Sequence, residues 1–115
     1  EFFLADKPTK ELVKEACEYF GLKHSDIVVA QAILETGHFR SENCKVNNNL
    51  FGLFNSNKKE YFKFDHWTSC VKAYRDMIQY KYKENENYFM FLNRIGYAED
   101  SLYNQKVQRI INRYK

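Results

Sequence analysis

Ser25-Asp26-Ile27-Val28-Val29-Ala30-Gln31-Ala32-Ile33-Leu34-Glu35-Thr36-Gly37 is the stretch on which the fold of this chain turns. Ser25 is a good N-cap with Asp26 in the first turn, and Gly37 is placed to stop a helix that ends at Thr36. Ile27, Val28, Val29, Ala30, Ala32, Ile33 and Leu34 make that helix apolar on nearly every side, the pattern of a helix buried within a core. Gln31 and Glu35 are the exceptions, and their i, i+4 spacing projects both from one side. A carboxylate at the end of a mostly buried helix loses hydration and faces the negative end of the helix dipole. Both effects raise its pKa. A carboxyl group that keeps its proton near neutral pH is suited to general-acid work.

Working outward, a first helix fits Thr9 to Phe20, with Leu12, Val13, Ala16, Cys17 and Phe20 on one face and Gly21 as its stop. Beyond Gly37 a polar loop runs through Cys44 to Asn49. The alternating segments Leu50–Phe54 and Tyr61–Phe64 flank Asn55-Ser56-Asn57-Lys58-Lys59 and read as a β-hairpin with a longer turn. Helical periodicity returns from Trp67 to Lys81, then over Tyr88–Ile95 before Gly96, and finally over Ser101–Arg113. No repeat, low-complexity stretch or linker interrupts this order. The expectation is one domain over residues 1–115, α+β and predominantly α, with a small β-hairpin.

Composition narrows the function classes. The 115 residues are 44% hydrophobic and 17% aromatic, enough for one real core, which excludes disorder of the whole chain. No run approaches the length of a membrane span. The net charge of +3 arises from interleaved signs with no basic tract, so no nucleic-acid partner is expected. There is no Cys-x-x-Cys or His-x-x-x-His, and His24, His38 and His66 lie far apart, so neither a metal nor a cofactor is expected. Of the three cysteines, Cys17 belongs to an apolar helix face. Cys44 and Cys70 flank the hairpin region and are the first pair to try for a disulfide in an oxidising compartment. The chain opens Glu1-Phe2-Phe3, with neither Met nor a basic leader, and is expected to be a mature or trimmed form.

Phe51, Phe54, Tyr61, Phe62, Phe64, Trp67 and Tyr74 cluster around the hairpin, with Tyr97 and Tyr103 after Gly96. A domain this small needs most of them for packing, yet aromatic faces also stack on the C–H faces of sugars. The runs Ala30–Gly37, Asn49-Leu50-Phe51-Gly52 and Tyr61–Trp67 with Ser69 and Tyr74, closed by Gly96-Tyr97-Ala98-Glu99-Asp100 and Tyr103, together resemble the glucosaminidase-type peptidoglycan hydrolases, glycoside hydrolase family 73. The form with Gly37-His38-Phe39 and Phe64-Asp65-His66-Trp67 is most similar to those of Bacteroides-type bacteria. The resemblance covers about residues 10–113.

It implies a lysozyme-like fold and endo-β-N-acetylglucosaminidase cleavage of peptidoglycan glycan strands. It puts the catalytic acid on Glu35, places Asn49, Phe51 and Gly52 beside the substrate groove, and maps the family's active-site tyrosine to Tyr97. Many relatives have Gly-Trp-Gly where this chain has Gly37-His38-Phe39; Phe39 retains an aromatic surface there. Gln31 either positions Glu35, binds a substrate amide, or is a satisfied buried polar group.

Glycosidic hydrolysis also asks for a second carboxylate or a substitute, about 5–5.5 Å away for retention and 6.5–9.5 Å for inversion. Glu60, the hairpin acid, is the first candidate and Asp65 the second, with Asp65 alternatively a helix cap. Assistance by the substrate's own acetamido group, or lytic transglycosylase chemistry, needs neither. A catalytically silent wall-binding module is the remaining alternative. The substrate places the protein outside the cytoplasm, periplasmic or secreted, and a monomer is expected.

Overall fold

The computed structural model describes residues 2–115. A 3-10 turn at Phe2–Leu4 leads to α1 (Lys10–Tyr19), α2 (Ser25–Thr36) and α3 (Glu42–Asn47). Strands β1 (Phe54–Asn55) and β2 (Glu60–Tyr61) follow, then α4 (Trp67–Met77), a 3-10 turn at Gln79–Lys81, α5 (Tyr88–Arg94) and α6 (Tyr103–Arg113). This is the predominantly α, lysozyme-like α+β fold that the sequence led us to expect.

The all-round apolar sequence of α2 does what it implies. Val28, Val29, Ala30, Gln31, Ala32, Ile33 and Thr36 are all buried. The helix packs chiefly against α6 and α1, and α1 also packs on α4. Val13, Val28, Leu50, Trp67, Val71, Phe91 and Val107 are fully enclosed in the same core cluster. Each such side chain contributes on the order of 1.5–3 kcal/mol relative to exposure.

Helix ends differ from expectation in instructive ways. Ser25 is the first helical residue of α2, not its cap; the cap position is His24, in a left-handed conformation at φ 55° with no side-chain capping bond. The His24 ring is used elsewhere, hydrogen-bonded through Nε2 to the Tyr82 hydroxyl at 2.9 Å. At α4 the expected cap Asp65 is exposed, and His66 caps instead, accepting the Thr68 N–H at Nδ1. The opposite ring nitrogen and the Trp67 indole N–H both donate to the Ala5 carbonyl at 2.8 Å, which ties down the N-terminal segment. The last helix begins at Tyr103 rather than Ser101.

Two larger corrections concern residues 37–64. The expected polar loop contains α3, capped by the Ser41 hydroxyl accepting the Cys44 N–H. The hairpin ladder is far shorter than the alternation suggested, with only Phe54↔Tyr61 and Asn55↔Glu60 paired. The ladder stops because a side chain takes over its role. Buried Asn49 donates from Nδ2 to the carbonyls of Leu53 at 2.9 Å and Phe62 at 3.0 Å. Its Oδ1 accepts the N–H groups of Leu53 at 3.0 Å and Phe51 at 3.3 Å.

The three cysteines are free and buried, so the Cys44–Cys70 disulfide is not formed. Burial pushes the thiols of Cys17 and Cys70 up to about 12. The Cys70 sulfur is committed to the Asn49 loop, 3.3 Å from the Leu50 nitrogen.

Candidate active site

The carboxyl group of Glu35 stands at the C-terminal end of α2, where the chain leaves the helix by an unusual turn. Gly37, His38 and Phe39 all adopt left-handed backbone conformations, at φ 58°, 64° and 66°. Two of these are not glycine, and each costs on the order of 1 kcal/mol in isolation. The strain is held by Thr36, whose hydroxyl donates to the Ala32 carbonyl at 2.7 Å and accepts the Phe39 N–H at 2.6 Å. The Thr36 carbonyl then accepts the N–H groups of Arg40 and Ser41, both at 2.9 Å. This sharp exit leaves the Glu35 side chain clear of the descending chain.

Glu35 remains open to solvent on one side, while the protein packed around its carboxyl removes hydration and raises its pKa. The Tyr103 hydroxyl, donating toward the carboxyl, partly offsets that rise. No ionised group among the described residues contributes to the shift. Facing it is Gly52, at φ 67°, where an added Cβ would lie 3.4 Å from Glu35 Oε1. Glu35 therefore sits between the Asn49-organised loop and the first turn of α6.

Tyr97 and Tyr103 form the adjoining wall, with ring centroids 5.6 Å apart. The Tyr97 hydroxyl points to the Phe51 carbonyl at 3.4 Å, closing the wall onto the Gly52 loop. Desolvation raises both phenols, and the charge of Glu35 raises them further. Both are neutral donors at physiological pH.

Compared with the known protein families, the chain matches the Glucosaminidase family, described as mannosyl-glycoprotein endo-beta-N-acetylglucosaminidase, over residues 10–115. The chain belongs to the glucosaminidase family. The match supports the peptidoglycan-hydrolase type within that family, a glycoside-hydrolase class of domain. No curated protein matches the chain in sequence.

Of the residues singled out from sequence, this glucosaminidase domain brings Glu35, Phe51, Gly52 and Tyr97 to one place. Gln31 is fully buried and joins the group from behind, donating from Nε2 to the Tyr103 hydroxyl at 3.1 Å. Asn49 lies beneath the loop with both ends of its amide engaged by backbone. Phe39 lies elsewhere, lining an 800 Å³ hollow with His38, Cys44, Asn48 and Tyr114 in which Glu35 takes no part. Glu60 is exposed on β2 opposite Asn55.

Two features were named in the sequence only within the larger aromatic set and were not among the site residues. The Tyr103 hydroxyl donates toward the acid, though only its place in the C-terminal motif set it apart from other tyrosines. Phe54 and Tyr61 make an exposed cross-strand pair on the hairpin, with centroids 5.4 Å apart and edge-to-face. Their position two and nine residues after Gly52 was the available signal.

Proposed function

We propose that this single-domain unit is an endo-β-N-acetylglucosaminidase of peptidoglycan in which Glu35 is the general acid. The observation that carries the reading is the setting of Glu35: a desolvated carboxyl with a raised pKa, at an open face, backed by a phenol donor and opposed by a glycine. A protonated carboxyl delivers its proton to the departing glycosidic oxygen. Gly52 leaves room for that oxygen beside Oε1. Tyr97 and Phe51 form the groove wall, and Asn49 shapes the loop that carries Gly52. The Phe54–Tyr61 pair offers a platform for a further sugar ring. Phe39, at the neighbouring hollow, contacts more distal parts of the wall polymer.

Glu60 is proposed as the base of an inverting displacement rather than as a nucleophile. It stands on the hairpin that directly follows the Gly52 loop, and Gly52 faces Glu35 Oε1. The exposure of Glu60 on β2 favours one second reading, participation of the substrate acetamido oxygen at the anomeric carbon. Proton NMR of the first-formed anomer, for wild type and Glu60→Gln, separates them. Inversion with loss of turnover in Glu60→Gln supports the base; retention with full turnover supports the acetamide.

A wall substrate places the protein outside the cytoplasm. Among the described residues no helix is long and apolar enough to cross a membrane. Digestion of purified peptidoglycan with mass spectrometry of the products tests the reaction itself. Reducing N-acetylglucosamine ends support it, 1,6-anhydro ends assign a lytic transglycosylase, and binding without cleavage assigns a silent wall-binding module.

A further inference from the structure

A continuous run of hydrogen bonds leads away from the site through the middle of the core, and its members come from four helices and a turn. Gln31 of α2 donates to Tyr103 of α6 at 3.1 Å, and accepts from the Tyr74 hydroxyl of α4 at 2.5 Å. Tyr74 meets the Tyr88 hydroxyl of α5 at 2.8 Å. Tyr88 accepts from Gln79 Nε2 at 3.0 Å. The Gln79 amide is clamped by the backbone of Lys23: its Nε2 donates to the Lys23 carbonyl at 2.7 Å and its Oε1 accepts the Lys23 N–H at 2.8 Å.

The clamp gives the run a direction. A backbone N–H only donates and a carbonyl only accepts, so Lys23 permits one orientation of the Gln79 amide. Its second Nε2 hydrogen then points to Tyr88, whose own hydrogen is left for Tyr74. Tyr74 in turn donates to Gln31 Oε1, which turns Gln31 Nε2 toward the Tyr103 oxygen. The Tyr103 hydrogen is thereby left free for Glu35. Reversing any one link reverses those beyond it: a flipped Gln31 would present Oε1 to Tyr103 and take that hydrogen away from the acid.

We propose that the Lys23–Gln79–Tyr88–Tyr74–Gln31 relay is a positioning device that fixes the Tyr103 hydroxyl as a donor to Glu35. Tyr88 and Gln79 act on the acid without touching it, from the far side of the core. The titratable groups facing Glu35 are Tyr103 of α6 and Tyr97 of the preceding segment, both neutral; the Gly52 loop presents none. A donated hydrogen bond favours the ionised carboxylate, so its loss moves the Glu35 titration upward. The inference rests on Glu35 as the acid for its meaning in turnover, but not for its test.

The test is the pH titration of the Glu35 carboxyl carbon by ¹³C NMR, its resonance assigned by its disappearance in Glu35→Gln. Tyr103→Phe, which removes the donor outright, is expected to raise the midpoint by about one pH unit. Tyr74→Phe keeps the ring but removes the hydrogen that holds Gln31 Oε1, so Gln31 is free to flip and the midpoint rises by a smaller amount. Tyr74→Phe added to Tyr103→Phe changes nothing more, because both act through one hydrogen. Gln79→Met, at the far end of the run, frees Tyr88 to accept from Tyr74 and repeats the result where Tyr74→Phe folds poorly. A midpoint in Tyr74→Phe and Gln79→Met equal to or below wild type, or effects that add in full to Tyr103→Phe, overturns the relay. Neither result depends on turnover, so failure of the relay and failure of Glu35 as the acid are read separately.

Discussion

Gly52→Ala perturbs the acid through a single methyl group, and the structure supplies its own control. Gly52 holds φ 67°, in the region that disfavours a side chain, so alanine there costs roughly 1–2 kcal/mol. Unfolding entropy of about 2.1 cal/mol/K per residue converts that into a Tm lower by ~4–8 °C for a chain of 115 residues. Gly21, at φ 75° in the turn after α1, carries the same backbone penalty with no atom within 4 Å of an added Cβ. Gly21→Ala and Gly52→Ala therefore lose comparable stability. Only the Gly52 methyl lies 3.4 Å from Glu35 Oε1, in the space a glycosidic oxygen needs. The expected outcome is a loss of about tenfold or more in wall-digesting activity for Gly52→Ala, with Gly21→Ala near wild type below its transition. Thermal unfolding by circular dichroism and a turbidity assay on purified walls give both quantities. Equal activity in the two variants would show that Gly52 does not border the reacting bond.

Three further outcomes follow from the same contacts. Asn49→Ala strips partners from four backbone groups and is expected to cost about 3 kcal/mol or more, seen as a denaturation midpoint well below wild type; a near-neutral effect would mean water replaces the amide. Raised in the folded state, the Glu35 pKa gives stability that is fully present below its unfolded value and lost as pH rises through its folded value. Glu35→Gln removes that loss, so its Tm advantage over wild type should grow from pH 4 to pH 8, and a constant difference would contradict the raised pKa. The buried thiols should react slowly with a disulfide reagent at pH 8 in the native protein and all three should count as free on unfolding; one free thiol in unfolded, unreduced protein would mean a disulfide is present.

Much of this was legible because α2 writes its burial in its own residues. A helix apolar on every side, broken only at Gln31 and Glu35, announces both the centre of the core and the group placed at its edge. The four motifs in order then identified the family, which the match over residues 10–115 shows. What stayed hidden depends on contacts distant in sequence. Asn49 replaces a β-ladder with its side chain, so the alternation of residues 50–64 overstated the strands. The helix α3 buries only Cys44 and has no apolar period to betray it. His24 and His66 hold the cap positions expected of Ser25 and Asp65, because ring contacts with Tyr82 and Ala5 fix them there. Tyr103 lies far along the chain from Glu35, and nothing local to either residue couples them.

The most direct measurement is the digestion of purified peptidoglycan by wild type and by Glu35→Gln, with mass spectrometry of the released muropeptides. Muropeptides with reducing N-acetylglucosamine ends from the wild type, and none from a folded Glu35→Gln, are the predicted result. Release at the wild-type rate by Glu35→Gln would contradict the account at its centre, because the desolvated carboxyl at the end of α2 would then not be the acid.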